Sequence, residues 1–104
     1  MASSAAKRYA QAVFSLAKEQ GTLDRWLDDL AVLSDLMSEP IVAEYFRNPN
    51  VPKAEKLRTV DRALESGQQE ARNLAHLLVE RGRMEIAPEI AQLYAQMVLE
   101  ERGI

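Results

Sequence analysis

The chain has 104 residues, room for one domain, with 47% apolar and 28% charged residues, the balance of a soluble globule rather than a disordered segment. It contains no cysteine, which excludes disulfides, thiol redox chemistry, thiolate metal sites and cysteine nucleophiles. A formal net charge of −3 argues against nucleic acid or anionic lipid as the main partner, and the longest apolar run, Leu30–Leu33, can neither span a membrane nor form a signal-peptide core.

Alanine occurs 15 times and leucine 13 times, both strong helix formers, and no stretch of strict apolar/polar alternation is long enough for a half-buried strand. Gly21, Pro40, Asn48-Pro49, Pro52, Ser66-Gly67 and Gly82 cut the chain into helix-sized pieces. The first helix is predicted from about Ser4 to Gln20, with Gly21 as its left-handed stop. Thr22 is placed to cap a second helix carrying Leu23, Trp26, Leu27, Leu30, Leu33 and Met37, and so tight a connection predicts an antiparallel hairpin. Pro40 opens a short third helix, Asn48-Pro49-Asn50 ends it, and Pro52 opens a fourth bearing Leu57, Val60 and Leu64. Ser66-Gly67-Gln68-Gln69 has the form of a capping box, starting a fifth helix that ends at Gly82. A sixth runs from about Arg83 to Glu101 with Ile86, Ile90, Leu93, Tyr94, Met97 and Val98 on one side; Pro88 near its start is expected to delay the first regular turn. The expected fold is all-α: a single domain over residues 1–104, a bundle of five longer helices and one short one.

Enzymatic readings lack parts. His76 is the only histidine and falls opposite Leu74 and Leu78 on its helix, a solvent-facing position. Asp28-Asp29 and Glu100-Glu101 are adjacent pairs whose side chains diverge by about 100°, so each reads as a solvated helix face and not a carboxylate dyad. Gly82 between Arg81 and Arg83 lacks a glycine-rich phosphate loop. Lys53, Lys56, Arg58 and Arg62 form the densest basic stretch, but Glu55 and Asp61 interrupt it and the cations are spread around the helix. No catalytic residue, metal site or cofactor site is expected.

Two apolar faces are unusually wide. On the first helix, Ala6, Ala10, Val13 and Ala17 form one stripe, and Ala5, Tyr9, Ala12 and Leu16 form a second beside it, giving an arc near 200° at about 100° per residue. On the fifth, Ala71, Leu74, Ala75 and Leu78 are flanked by Leu77 and Val79 on opposite sides, again about 200°. Either both helices are central in the bundle, or one shoulder of each stays open as a groove for an amphipathic helix from a partner.

Arg8-Tyr9-Ala10-Gln11-Ala12-Val13-Phe14, Leu16-Ala17 and Gly21-x-Leu23-Asp24 resemble the opening of the delta subunit of bacterial F-type ATP synthases, whose mitochondrial relative is the oligomycin sensitivity conferral protein. Asn48-Pro49, Lys56, Asn73-Leu74-x-x-Leu77-Leu78-x-Glu80-x-Gly82-Arg83 and Glu101-Arg102-Gly103-Ile104 extend the resemblance along the chain in the right order. The resemblance implies the amino-terminal domain of that subunit. This is a six-helix, non-catalytic stator element on top of the catalytic head, peripheral to the inner membrane on its cytoplasmic face and not inserted in it. It implies a groove between the first and fifth helices that binds the amphipathic amino-terminal helix of an alpha subunit. Carried over by position, Tyr9, Ala12, Leu74 and Leu77 line that groove, and Ala5, Leu16 and Asn73 extend the set. Trp26 falls where the family places a tryptophan and, with Leu23, Leu27 and Leu30 around it, reads as core. Family members continue past the Arg102-Gly103-Ile104 element into a carboxy-terminal domain that meets the b subunit, so b-subunit contact is not expected of these residues. Met1-Ala2-Ser3-Ser4 lacks the arginine-rich lead of a transit peptide, which favours a bacterial source. The competing expectation is a small helical regulatory or DNA-associated domain that dimerises through its wide faces.

Overall fold

A computed structural model describes residues 3–103; Met1 and Ala2 of the Met1-Ala2-Ser3-Ser4 segment and Ile104 of the closing motif lie outside the described residues. Six α-helices follow in order: α1 (Ser4–Gln20), α2 (Leu23–Ser38), α3 (Pro40–Arg47), α4 (Lys53–Ala63), α5 (Gln69–Glu80) and α6 (Ala87–Glu101). A 3₁₀ turn at Met84–Ile86 precedes α6, and the described residues contain no strand. The expected all-α bundle is the observed architecture, with α3 its short member.

α1 starts on Ser3, whose hydroxyl accepts a hydrogen bond from the Ala6 amide at 3.0 Å. It stops at Gly21, whose φ of +69° is a conformation that a side chain would strain. Its buried stripe is Ala6, Ala10, Val13 and Ala17. Small side chains here let a neighbouring backbone come close, and that neighbour is α6, which is also the main neighbour of α2. The Gly21-Thr22 turn joins the first two helices as expected, yet they pack through α6 more than on each other.

α6 buries Ala87, Ile90, Tyr94 and Val98. The Tyr94 hydroxyl donates to the Leu23 carbonyl at 2.8 Å, tying α6 to the start of α2, and its ring meets Phe14 edge-on at 6.3 Å between centroids. Burial pushes the Tyr94 phenol up to about 12, because phenolate would lose its hydration inside the bundle. Pro88 sits in the first turn of α6 behind the 3₁₀ turn, the delayed start its ring imposes.

Two expected caps are not made. Thr22 occupies the N-cap position of α2, but its backbone is not extended, its side chain makes no cap bond, and its buried hydroxyl lacks a hydrogen-bond partner. The Ser66 capping box does not form either: α5 begins at Gln69 with Gln68 as N-cap. The capping group comes from another helix. Asp29 of α2 accepts from the Gln68 backbone amide at 3.1 Å and from the Gln68 side-chain amide at 3.0 Å. Asp29 is only 7% exposed, so its expected place on a solvated face is wrong; Asp28 is the exposed member of the pair. A carboxylate brings a full negative charge to the positive end of α5, where a serine hydroxyl would bring only a dipole. Gly67 makes room for it, since a Cβ there would lie 2.6 Å from Asp29 Oδ1. Arg72 closes the same corner by donating to the carbonyls of Leu64 at 2.7 Å and Gly67 at 2.9 Å.

Asp29→Ala and Gly67→Ala should each lower stability by about 1–3 kcal/mol in urea unfolding. Both act on one corner, so the double variant should fall well short of the sum. A folded-state phenol pKa raised from 10.0 to about 12 contributes stability that is intact below pH 10 and is lost as pH rises toward 12. Tyr94→Phe should therefore lose less stability than the wild type between about pH 9 and about pH 11, read by urea unfolding at each.

Candidate functional site

The second stripe of α1 stays outside the core: Ala5, Tyr9 and Leu16 are half-buried and Ala12 is exposed. On α5, Ala71, Ala75, Leu78 and Val79 are buried, Leu74 is half-buried, and Leu77 remains 36% exposed. The two shoulders of α5 thus differ, Val79 turned into the bundle and Leu77 left open. α1 and α5 have little direct contact with each other. Between them lies an apolar hollow of about 300 Å³. α1 contributes Ala12, Val13 and Leu16, and α5 contributes Glu70, Asn73, Leu74 and Leu77. Trp26 of α2, 1% exposed, forms its floor.

Ala12, Leu16, Asn73, Leu74 and Leu77 from the sequence reading therefore meet around one hollow, whereas Ala5 and Tyr9 do not line it. Tyr9 stands nearer the start of α1, where its hydroxyl accepts from Arg81 Nη1 at 3.3 Å across the end of α5. Val13 and Glu70 escaped the sequence reading as wall residues. Glu70 precedes Leu74 by four residues and Leu77 by seven, the spacing that puts all three on one helix face. Trp26 is core as expected, and it is groove floor as well.

Other polar features have structural work. His76 is not simply solvent-facing: it is half-buried, and its Nε2 lies 2.7 Å from Asp61 Oδ1 of α4. Lys53 donates to the Glu80 carbonyl at 3.2 Å and Lys56 to the Asn48 carbonyl at 2.9 Å, so both satisfy helix ends. A hollow of about 350 Å³ beside α4 mixes Glu55 with Arg58 and Arg62, so no continuous basic surface forms there. Among the described residues no group of histidine and carboxylate side chains is arranged to hold a metal ion, and no helix is long and apolar enough to cross a membrane.

Residues 5–104 match the family model described as ATP synthase delta (OSCP) subunit. The chain belongs to this family. Among its relatives, the ATP synthase subunit delta of Dehalococcoides mccartyi is 37% identical over 99 residues, covering 95% of this chain and 54% of that protein. The subunit delta of Laribacter hongkongensis is 36% identical over 100 residues, covering 95% and 56%. That of Nitrosomonas eutropha is 34% identical over 104 residues, with the same coverage of 95% and 56%. The chain spans about half the length of the curated relatives it matches. For this member of the delta (OSCP) family, the bond from Lys56 to the Asn48 backbone carbonyl gives a physical reason for Lys56, and Asn48 Oδ1, which accepts from the Asn50 amide at 2.9 Å, gives one for Asn48.

The exposed shoulder separates two adjacent leucines. Leu77→Ala should change stability by less than about 0.5 kcal/mol, as an exposed position does. Leu78→Ala, which removes a fully buried side chain, should cost about 2–5 kcal/mol. Parallel urea unfolding of the two variants measures the contrast.

Proposed function

We propose that this chain is a non-catalytic stator element of an F-type ATP synthase, and that the hollow between α1 and α5 receives the amphipathic amino-terminal helix of an alpha subunit. The observation that carries this reading is the open apolar trough itself. Ala12 leaves space, Leu16, Leu74 and Leu77 supply apolar walls, and Trp26 supplies a rigid floor. Family membership supports the identity of the occupant, and the absence of any assembled acid/base set from the trough favours holding over reacting. In that complex the domain sits on the catalytic head at the cytoplasmic face of the membrane. Contact with the b subunit is assigned to the part of the family's proteins that lies beyond the residues matched here.

Rotation of the central stalk applies torque to the head, and a stator keeps the head from turning with it. A buried apolar contact suits the task because it dissociates slowly. Burial of about 600 Å² of apolar surface gives on the order of 15 kcal/mol gross at 25 cal/mol/Å². Ordering the incoming helix and loss of rigid-body freedom offset much of that, leaving micromolar to nanomolar affinity.

Calorimetric titration with a synthetic peptide of the same organism's alpha-subunit amino terminus should give one-to-one binding. Leu77→Ala, which removes a wall, and Ala12→Trp, which fills the trough, should each weaken it by at least about tenfold, or about 1.4 kcal/mol. Absence of binding by the folded protein overturns the reading. A concentration-dependent dimer blind to the peptide would instead favour the dimerising regulatory domain.

A further inference from the structure

The trough is apolar, with Glu70 its one charged lining residue, and Arg81 stands beyond its opposite end, so a helix long enough to overrun the trough would meet charges of opposite sign at its two ends. Tyr9, early in α1, meets Arg81 just past the end of α5, while Ala12 and Leu16 face Glu70, Asn73 and Leu77. The two walls therefore run antiparallel. Glu70, in the first turn of α5, and Arg81, its C-cap, are eleven residues apart, about 16 Å along a helix axis. Arg8 and Glu19 are also eleven residues apart on α1, again about 16 Å, and both fall within about 40° of Ala12 around the helix. Antiparallel packing puts Arg8 toward the Arg81 end and Glu19 toward the Glu70 end. All four side chains are exposed, and none makes an ion pair among the described residues.

We infer that these four charges orient the docked helix. The inference rests on the docking reading above and commits to one occupant, an amphipathic helix from another protein with glutamates in its first turn and lysines in its last. That order is favoured in helices because it suits their own dipole. Such a helix lies parallel to α1, its acidic start between Arg8 and Arg81 and its basic end between Glu19 and Glu70. The bare helix dipole pulls the other way, since its positive end would seek Glu70. It amounts to only about half a charge at each end, and the side chains carry whole charges. At physiological salt the screening length is about 8 Å, shorter than the trough, so each end discriminates separately.

The test uses a synthetic peptide of that pattern with a nitroxide at its amino terminus and records paramagnetic broadening of the protein's backbone amides. In the wild type, broadening should concentrate around Tyr9 and Arg81, at least about tenfold over the Glu70 end. In the fourfold variant Arg8→Glu, Glu19→Lys, Glu70→Lys, Arg81→Glu, which keeps the net charge, it should move to Leu16 and Glu70. All four positions are exposed, and circular dichroism verifies that the variant is folded. Broadening that starts at the Glu70 end, spreads over both ends, or stays put in the variant overturns the orienting role and leaves the docking reading standing. No broadening in a folded wild type, or broadening only at a seam between two copies of the chain, overturns both.

Discussion

Close approach of α1 to α6 governs the shape of this bundle. A helix whose buried stripe is Ala6, Ala10, Val13 and Ala17 has little side-chain bulk on that side, so α6 comes near enough for Tyr94 to reach the Leu23 carbonyl and for its ring to meet Phe14. The larger residues of α1, Tyr9 and Leu16, are consequently left beside the core and not within it. The contact that makes the bundle tight is also the one that leaves an apolar shoulder uncovered. The uncovered apolar shoulder and the packing of the fold are in this sense supplied by two adjacent faces of one helix, which the chain can adjust separately.

The second constraint is the pinning of α5. Asp29 reaches from α2 to the first turn of α5, and Arg72 holds the corner from the other side. Because α2 also supplies Trp26, the floor of the trough and the fixed end of its far wall belong to one rigid helix. A groove whose walls are braced this way needs little rearrangement to receive a ligand, and preorganisation of that kind reduces the entropic cost of binding.

Helix boundaries were legible because they depend on local chemistry: Gly21, Pro40, Pro52 and Gly82 punctuate the chain wherever the rest of it lies. The caps were not. Ser66-x-x-Gln69 matches a capping pattern in sequence, but a carboxylate far away in the chain outcompetes it, and no local pattern announces a long-range cap. A trace existed nonetheless. Asp29 lies three residues after Trp26 and four before Leu33, on the buried stripe of α2, and a charged residue on such a stripe requires a partner. For the groove, helix periodicity showed that two faces were too wide without saying which shoulder stays open. Leu77 and Val79 flank the same stripe and are indistinguishable by hydropathy; only the placement of α5 against the rest of the bundle buries one and exposes the other. Glu70 carries no groove signal in the sequence, since an exposed glutamate near a helix start has a sufficient explanation in the helix dipole alone.

Trp26 is the only tryptophan of the chain, and it forms the floor of the trough. The ultraviolet emission of the indole therefore arises from one place, with no second fluorophore of its kind to average against. Its ring nitrogen is buried without a hydrogen-bond partner, so the excited state relaxes in surroundings set by the apolar walls and by whatever covers them. The molecule thus carries an intrinsic optical gauge in the floor of this hollow, and filling of the proposed docking site would be read directly in the unlabelled protein.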